Sequence, residues 1–249
     1  MPTHRRLWIL LAACVTGAFL LLGGLGVEVY RQAPPIPERV VTADGRLLVT
    51  RDDILDGQQV WQSIGGQQVG SVWGHGAYQA PDWSADWLHR EALALGAQTP
   101  APADLDADAR AAVVADRVRR ELRTNSYDPA TGTLTVSEAR ARAIAEVGRH
   151  YDAVFGGDPG LDALREDYAL SRRPVPDAER RQQLNAFFFW TAWAAAAERP
   201  GTHVSYTNNW PHEPLVGNRP TAANVLWSIV SVVLLLAGAW LLTRWSIRG

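Results

Sequence analysis

The chain has 249 residues, 47% apolar and 20% charged, with a net charge of −2, one cysteine and one methionine. One cysteine excludes a disulfide scaffold, a cysteine-rich zinc or iron–sulfur site, and a haem attached through a cysteine pair. Near-neutral charge gives no reason to expect nucleic acid as partner, and the mean hydropathy of −0.12 hides two apolar blocks at the chain ends.

The first block, Leu7 to Val27, holds no charge and is long enough to cross roughly 30 Å of hydrocarbon as a helix. His4, Arg5 and Arg6 precede it and Glu28 follows, so the excess of positive charge predicts a cytoplasmic N-terminus. A cleaved signal peptide has the same basic start. Against it, the apolar run is long, and Gly23-Gly24-Leu25-Gly26 is a poor cleavage site. Ala33-Pro34-Pro35-Ile36-Pro37 then reads as a stiff linker, because proline fixes φ and lacks an N–H.

Val40-Val41-Thr42 and Leu47-Leu48-Val49-Thr50 flank Ala43-Asp44-Gly45-Arg46, a pattern for a β-hairpin. Thr50 can cap a helix through about Trp61, with Asp52 and Asp53 in its first turn. Gly65 to Gly76 (GGQQVGSVWGHG) has five glycines in twelve residues. A flexible loop is the simple reading, but Trp61, Trp73, Tyr78, Trp83 and Trp87 around it need burial and favour an ordered one.

Four further helices are predicted. They run from Ala85 to Leu95 with Gly96 as a stop, and from Leu105 to Leu122. The third extends from a capping box at Thr135–Glu138 to about Val154, and the last from Asp177 to Ala197. That last helix carries Phe187, Phe188, Phe189, Trp190 and Trp193 on more than one face, so it must be enclosed by protein or touch a membrane surface. The second apolar block, Asn224 to Leu242, is followed by Arg244 and Arg248, and Trp227, Trp240 and Trp245 stand near its ends. Neither block contains His, Asp, Glu or Lys, which a metal, haem or proton path inside the membrane requires.

The expected organisation is a cytoplasmic start (1–6), a span (7–27), an extracytoplasmic domain (28–222), a second span (223–243) and a cytoplasmic end (244–249). The expected fold class is mainly α, with the two transmembrane helices flanking the domain.

Residue chemistry alone points to no enzyme. His75 and His89 are fourteen residues apart and His203 and His212 nine, without HxH, HExxH or paired cysteines, so surface histidines are the simpler reading. Cys14 lies in a span, no serine sits in a nucleophile elbow, and the glycine-rich stretch lacks the lysine of a phosphate loop. The 26 carboxylates are scattered, mostly at helical positions expected to face water.

Three longer stretches are more specific. Asp56-Gly57-Gln58-Gln59-Val60-Trp61-Gln62-Ser63 continues through Gly74-His75-Gly76-Ala77-Tyr78-Gln79-Ala80-Pro81-Asp82-Trp83. Asn185 to Trp193 is followed by Arg199-Pro200-Gly201, and Tyr206-Thr207-Asn208-Asn209-Trp210-Pro211 by Gly217-Asn218 and Pro220-Thr221. Together they resemble the N-terminal part of the large subunit of quinol-dependent nitric oxide reductases, in the haem–copper oxidase superfamily.

That resemblance implies a respiratory enzyme of the bacterial inner membrane that reduces nitric oxide to nitrous oxide in denitrification. Its catalytic core uses two haems b and a non-haem iron. It implies a periplasmic domain equivalent to the cytochrome c subunit of related enzymes. Their CxxCH haem motif falls on Gly66-Gln67-Gln68-Val69-Gly70 here, without either cysteine or the histidine, and Met1 is the only methionine. The expectation is a cytochrome c-like fold without haem, its haem volume filled by Trp61, Trp73 and Val69. By the same resemblance, the Gly76 carbonyl and the Tyr78 hydroxyl could reach a calcium ion in the full assembly; the plain alternative for Tyr78 is a buried aromatic.

Family members continue with about a dozen more membrane helices that carry the haem and iron ligands. This chain is therefore expected to be a fragment, a truncated product or a split subunit, inactive alone, with the membrane, the catalytic core and, through the core, quinol as partners. A two-span receptor with an extracytoplasmic sensor, or a stand-alone partner subunit of a separate core, has the same layout.

Overall fold

A computed structural model describes residues 2–248, so Met1, the only methionine, and Gly249 lie outside the described residues. The first of two compact units, residues 1–35, holds a single helix, α1 (Pro2–Arg31). Its span runs His4–Arg31 and is wholly unburied, as its apolar surface requires of a segment solvated by lipid. The helix is longer at both ends than the 7–27 stretch that composition marks.

The second unit begins with a sheet. Strands β1 (Arg39–Thr42) and β2 (Leu47–Thr50) form the expected hairpin, with a register shift between Val40 and Val41. After α2 (Arg51–Ser63), α3 (Trp83–Gln98) and α4 (Ala107–Arg123), two strands not foreseen from sequence, β3 (Tyr127–Asp128) and β4 (Thr133–Val136), complete it. The order is β2-β1-β4-β3, with β1 parallel to β4. Thr135 and Val136, assigned above to a helix cap, belong to β4, and Ser137 alone caps α5 (Glu138–Gly156). A short α6 (Asp162–Asp167) precedes α7 (Ala178–Ala196) and α8 (Ala222–Arg248).

Caps set most helix starts. Thr50 and Asp53 form a reciprocal capping box, and Asp82, Asp106, Ser137 and Asp177 each accept a first-turn N–H. Gly96 does not stop α3, which continues to Gln98. With helical φ and a Val114–Val118 face 3.7 Å from where its Cβ would be, Gly96 serves close packing of α4.

The core lies between α2, α3, α5 and α7. Helix α7 is enclosed by protein, and Phe187, Phe188, Phe189, Trp190 and Trp193 are all buried. Gly57 lets α2 approach α7 closely: a Cβ there would stand 2.0 Å from the Gln183 carbonyl oxygen. No α8 residue from 222 to 245 is buried, and this helix is the second long enough and apolar enough to cross a membrane.

Candidate functional site

The glycine-rich loop between α2 and α3 is ordered, and its order comes from one carboxylate. Asp82 is 2% exposed and caps α3 through the Ala85 N–H at 2.9 Å. Ser84 donates to that same capping oxygen, while the other oxygen accepts from Ser71 Oγ at 2.7 Å and from the Gly74 N–H at 2.5 Å. Ser71 Oγ in turn accepts from the Gly76 N–H at 2.7 Å. A buried carboxylate is tolerable only with its lone pairs filled, and these donors fill them.

Indoles close the loop from within. Trp83 Nε1 donates to the Val69 carbonyl at 2.9 Å and Trp61 Nε1 to the Gly70 carbonyl at 3.2 Å. Gly70 has φ +117, and a Cβ on it would stand 2.1 Å from Trp83 Nε1. Trp83 stacks on Phe188 (5.5 Å between centroids) and meets Phe155 edge-on (5.4 Å). Trp73, held at φ +55, donates from Nε1 to the Thr191 carbonyl at 2.8 Å and packs on Trp190.

Beyond the loop lies an open cleft of about 500 Å³. Its walls are apolar at Pro81, Ala85, Trp210, Pro211 and Pro214, and His75, His89 and His212 stand among them. Every carboxylate there is engaged. Glu213, 5% exposed, accepts from His89 Nδ1 at 2.8 Å, while Asp86 pairs with Arg90 at 2.9 Å and accepts from the Tyr151 hydroxyl at 2.6 Å. Burial, reinforced by Asp86, pushes the Tyr151 hydroxyl well above its ordinary pKa, so it stays a proton donor. Among the described residues no group of three or more His, Cys, Asp or Glu is placed to hold a metal ion.

A family model for the cytochrome c-like domain of NorB, a nitric oxide reductase component, matches residues 37–212. The chain belongs to this family. No curated protein matches it. Family membership favours the reductase reading over the receptor layout, and it gives the domain between the apolar helices its fold class, cytochrome c-like and mainly helical.

In this nitric oxide reductase domain, the stretch aligned above with CxxCH is the short helical turn Gly66–Val69 with Gly70. It offers no thiol and no imidazole, and its last two carbonyls are taken by indoles, so these residues do not fit a covalently attached haem. Of the three side chains expected to fill the interior, Trp61 is buried at 7% exposure, whereas Trp73 and Val69 are only partly covered. Trp83 and Trp87, each 1% exposed, and Phe188, 0% exposed, are more deeply buried than any of the three. The density of large aromatics next to a glycine-rich stretch was the available signal for them.

Gly76 and Tyr78 sit in one turn, closed by the Ala77 N–H to the Ala80 carbonyl at 2.9 Å. Gly76 has φ +84, and a Cβ would press within 2.9 Å of the Ala80 oxygen. Tyr78 is fully exposed, which corrects the alternative of a buried aromatic. Asp82, Glu91 and Glu213 are buried and bonded, exceptions to the mostly water-facing carboxylates.

Proposed function

We propose that the chain is the N-terminal anchor and extracytoplasmic domain of a quinol-dependent nitric oxide reductase, and that it contributes structure rather than a redox centre. The domain covers the outer face of a catalytic core, whose haems b and non-haem iron are held by helices other than α1 and α8. Electrons pass from membrane quinol to that core without a relay in this domain. Both chain ends face the cytoplasm of a bacterial inner membrane, a reading supported by Arg5 and Arg6 before the first span and Arg244 after the second. The boundaries are 1–6, 7–27, 28–222, 223–243 and 244–249, as composition suggests, with each helix continuing past its apolar stretch.

One observation supports the absence of a relay: beside the glycine-rich loop, Trp83 packs directly on Gly70 and stacks on Phe188. Such an interior is close-packed, and opening it would cost the burial of several aromatics.

The exposed Tyr78 hydroxyl and the Gly76 carbonyl are proposed calcium contacts shared with the core. Full exposure of Tyr78 supports a group that acts across an interface rather than within the domain.

The chain expressed alone in a haem-replete host and purified in detergent is expected to show no Soret band and no pyridine haemochrome. Stoichiometric haem in that preparation overturns the proposal.

A further inference from the structure

The segment that leads into α8 is tied to the domain before the chain leaves it. Asn218, 1% exposed, donates from Nδ2 to the Ala195 carbonyl at 2.9 Å and to Asn209 Oδ1 at 2.6 Å, and its Oδ1 accepts from the Glu213 N–H at 2.8 Å. From Asn218 to Ala222, where the second span begins, there are only four residue steps. At 3.6 Å or less per step they bridge roughly 14 Å. The anchored loop therefore stands close to the level where α8 enters the apolar layer, whatever the angle of that helix.

The surface of this loop has a distinctive chemistry. Trp210 is half-exposed and packs on the His75 ring at 5.5 Å. Pro211 and Pro214 are exposed beside it, and Arg219 Nε lies 3.2 Å from His212 Nε2. The neighbouring carboxylates of Asp82, Asp86 and Glu213 are all engaged by donors within the domain. What remains outward is an indole, prolines, imidazoles and a guanidinium. An indole favours the boundary between hydrocarbon and water, and basic groups favour a layer of lipid phosphates.

We propose that this surface, centred on Trp210, rests in the headgroup layer of the bilayer that α8 crosses. Trp210 is its interfacial anchor and fixes how low the domain stands on the membrane. The proposal rests on α8 being a membrane span, not on the electron route or the haem content proposed above.

Cys14 is the chain's only cysteine, so Cys14→Ser gives a background for site-directed spin labels. Nitroxides at Trp210→Cys and at Pro214→Cys, the second keeping the indole, are compared with one at Thr131→Cys in the exposed turn before β4. The full chain is reconstituted in vesicles of phosphatidylcholine and phosphatidylglycerol. For an interfacial site, the ratio of accessibility to oxygen over that to a water-soluble nickel complex is expected to exceed the Thr131 value by about threefold at both positions. Equal ratios at all three positions put the surface in water and overturn the proposal. A label at 214 shielded from both reagents puts protein over it, and overturns it too.

Discussion

Asp82 concentrates in one carboxylate the polar needs of a loop with almost no regular structure. Its neighbours in sequence mark a helix start, so the cap on α3 was open to recognition, but its bonds to Ser71 and Gly74 span the loop and no local spacing announces them. Trp83 was equally hidden: an aromatic beside glycines must be buried somewhere, but only packing shows that it sits on Gly70. Single residues also set a pH dependence. His150 on α5 has its pKa lowered, first by burial and then by Arg90, while Asp86 opposes. The folded protein therefore binds fewer protons there than the unfolded chain. This group costs nothing above its ordinary value of 6.5, and stability falls as pH drops from there through the lowered folded value. Denaturant unfolding in detergent, followed by tryptophan emission at pH 7.5 and 5.0, is expected to show a smaller acid loss for His150→Gln than for the parent. An equal loss in both assigns the acid sensitivity to other groups.

At the scale of elements, helix starts were readable and helix pairing was not. Thr50 and Asp177 announce their helices because a cap is a local event within one turn, whereas α5 is capped by Ser137, two residues past the expected Thr135. The strand pair β1–β4 joins segments separated by α2, α3 and α4, and nothing in four residues of either strand names its partner. The tie between α3 and α5 is a buried ion pair, Arg140 Nε to Glu91 Oε1 at 2.7 Å, at 2% and 0% side-chain exposure. Trp87 Nε1 donates to the other Glu91 oxygen at 3.0 Å, and the Arg140 guanidinium lies over the Phe189 ring. A signal was present: Glu91 falls in line with Trp87 and Leu95 at four-residue spacing, on the apolar face rather than the wet one. Glu91→Ala leaves a guanidinium in the core and is expected to cost about 3–5 kcal/mol. Replacing both partners, Glu91→Leu with Arg140→Met, is expected to recover most of that loss, because no charge is then stranded. Unfolding midpoints of the two variants check this, and a double variant no more stable than the single one refutes it.

On the scale of the whole chain, two kinds of burial are kept apart. The apolar ends were legible because a membrane solvates a helix all round and leaves an uninterrupted run in the sequence. The middle was legible as a helical domain and, through its long motifs, as a relative of nitric oxide reductases, but which aromatics fill its interior could be judged only from packing. Among the described residues, the buried hydrophobic core draws on α2, α3, α4, α5, α7 and the sheet, with no residue of α1 or α8. A core complete without its anchors needs no lipid to form, and residues 36–221 contain enough chain to bury it. That segment, expressed without either apolar helix, is expected to stay in solution without detergent, keep its helical circular dichroism and unfold in one cooperative transition. Loss of cooperativity, or a requirement for detergent, would mean that the spans shape the domain rather than hold it in place. The same segment separates folding from docking: if Trp210 only sets how the domain stands on the bilayer, Trp210→Ala changes the partition of the segment onto anionic vesicles and leaves its melting temperature within about 2 °C.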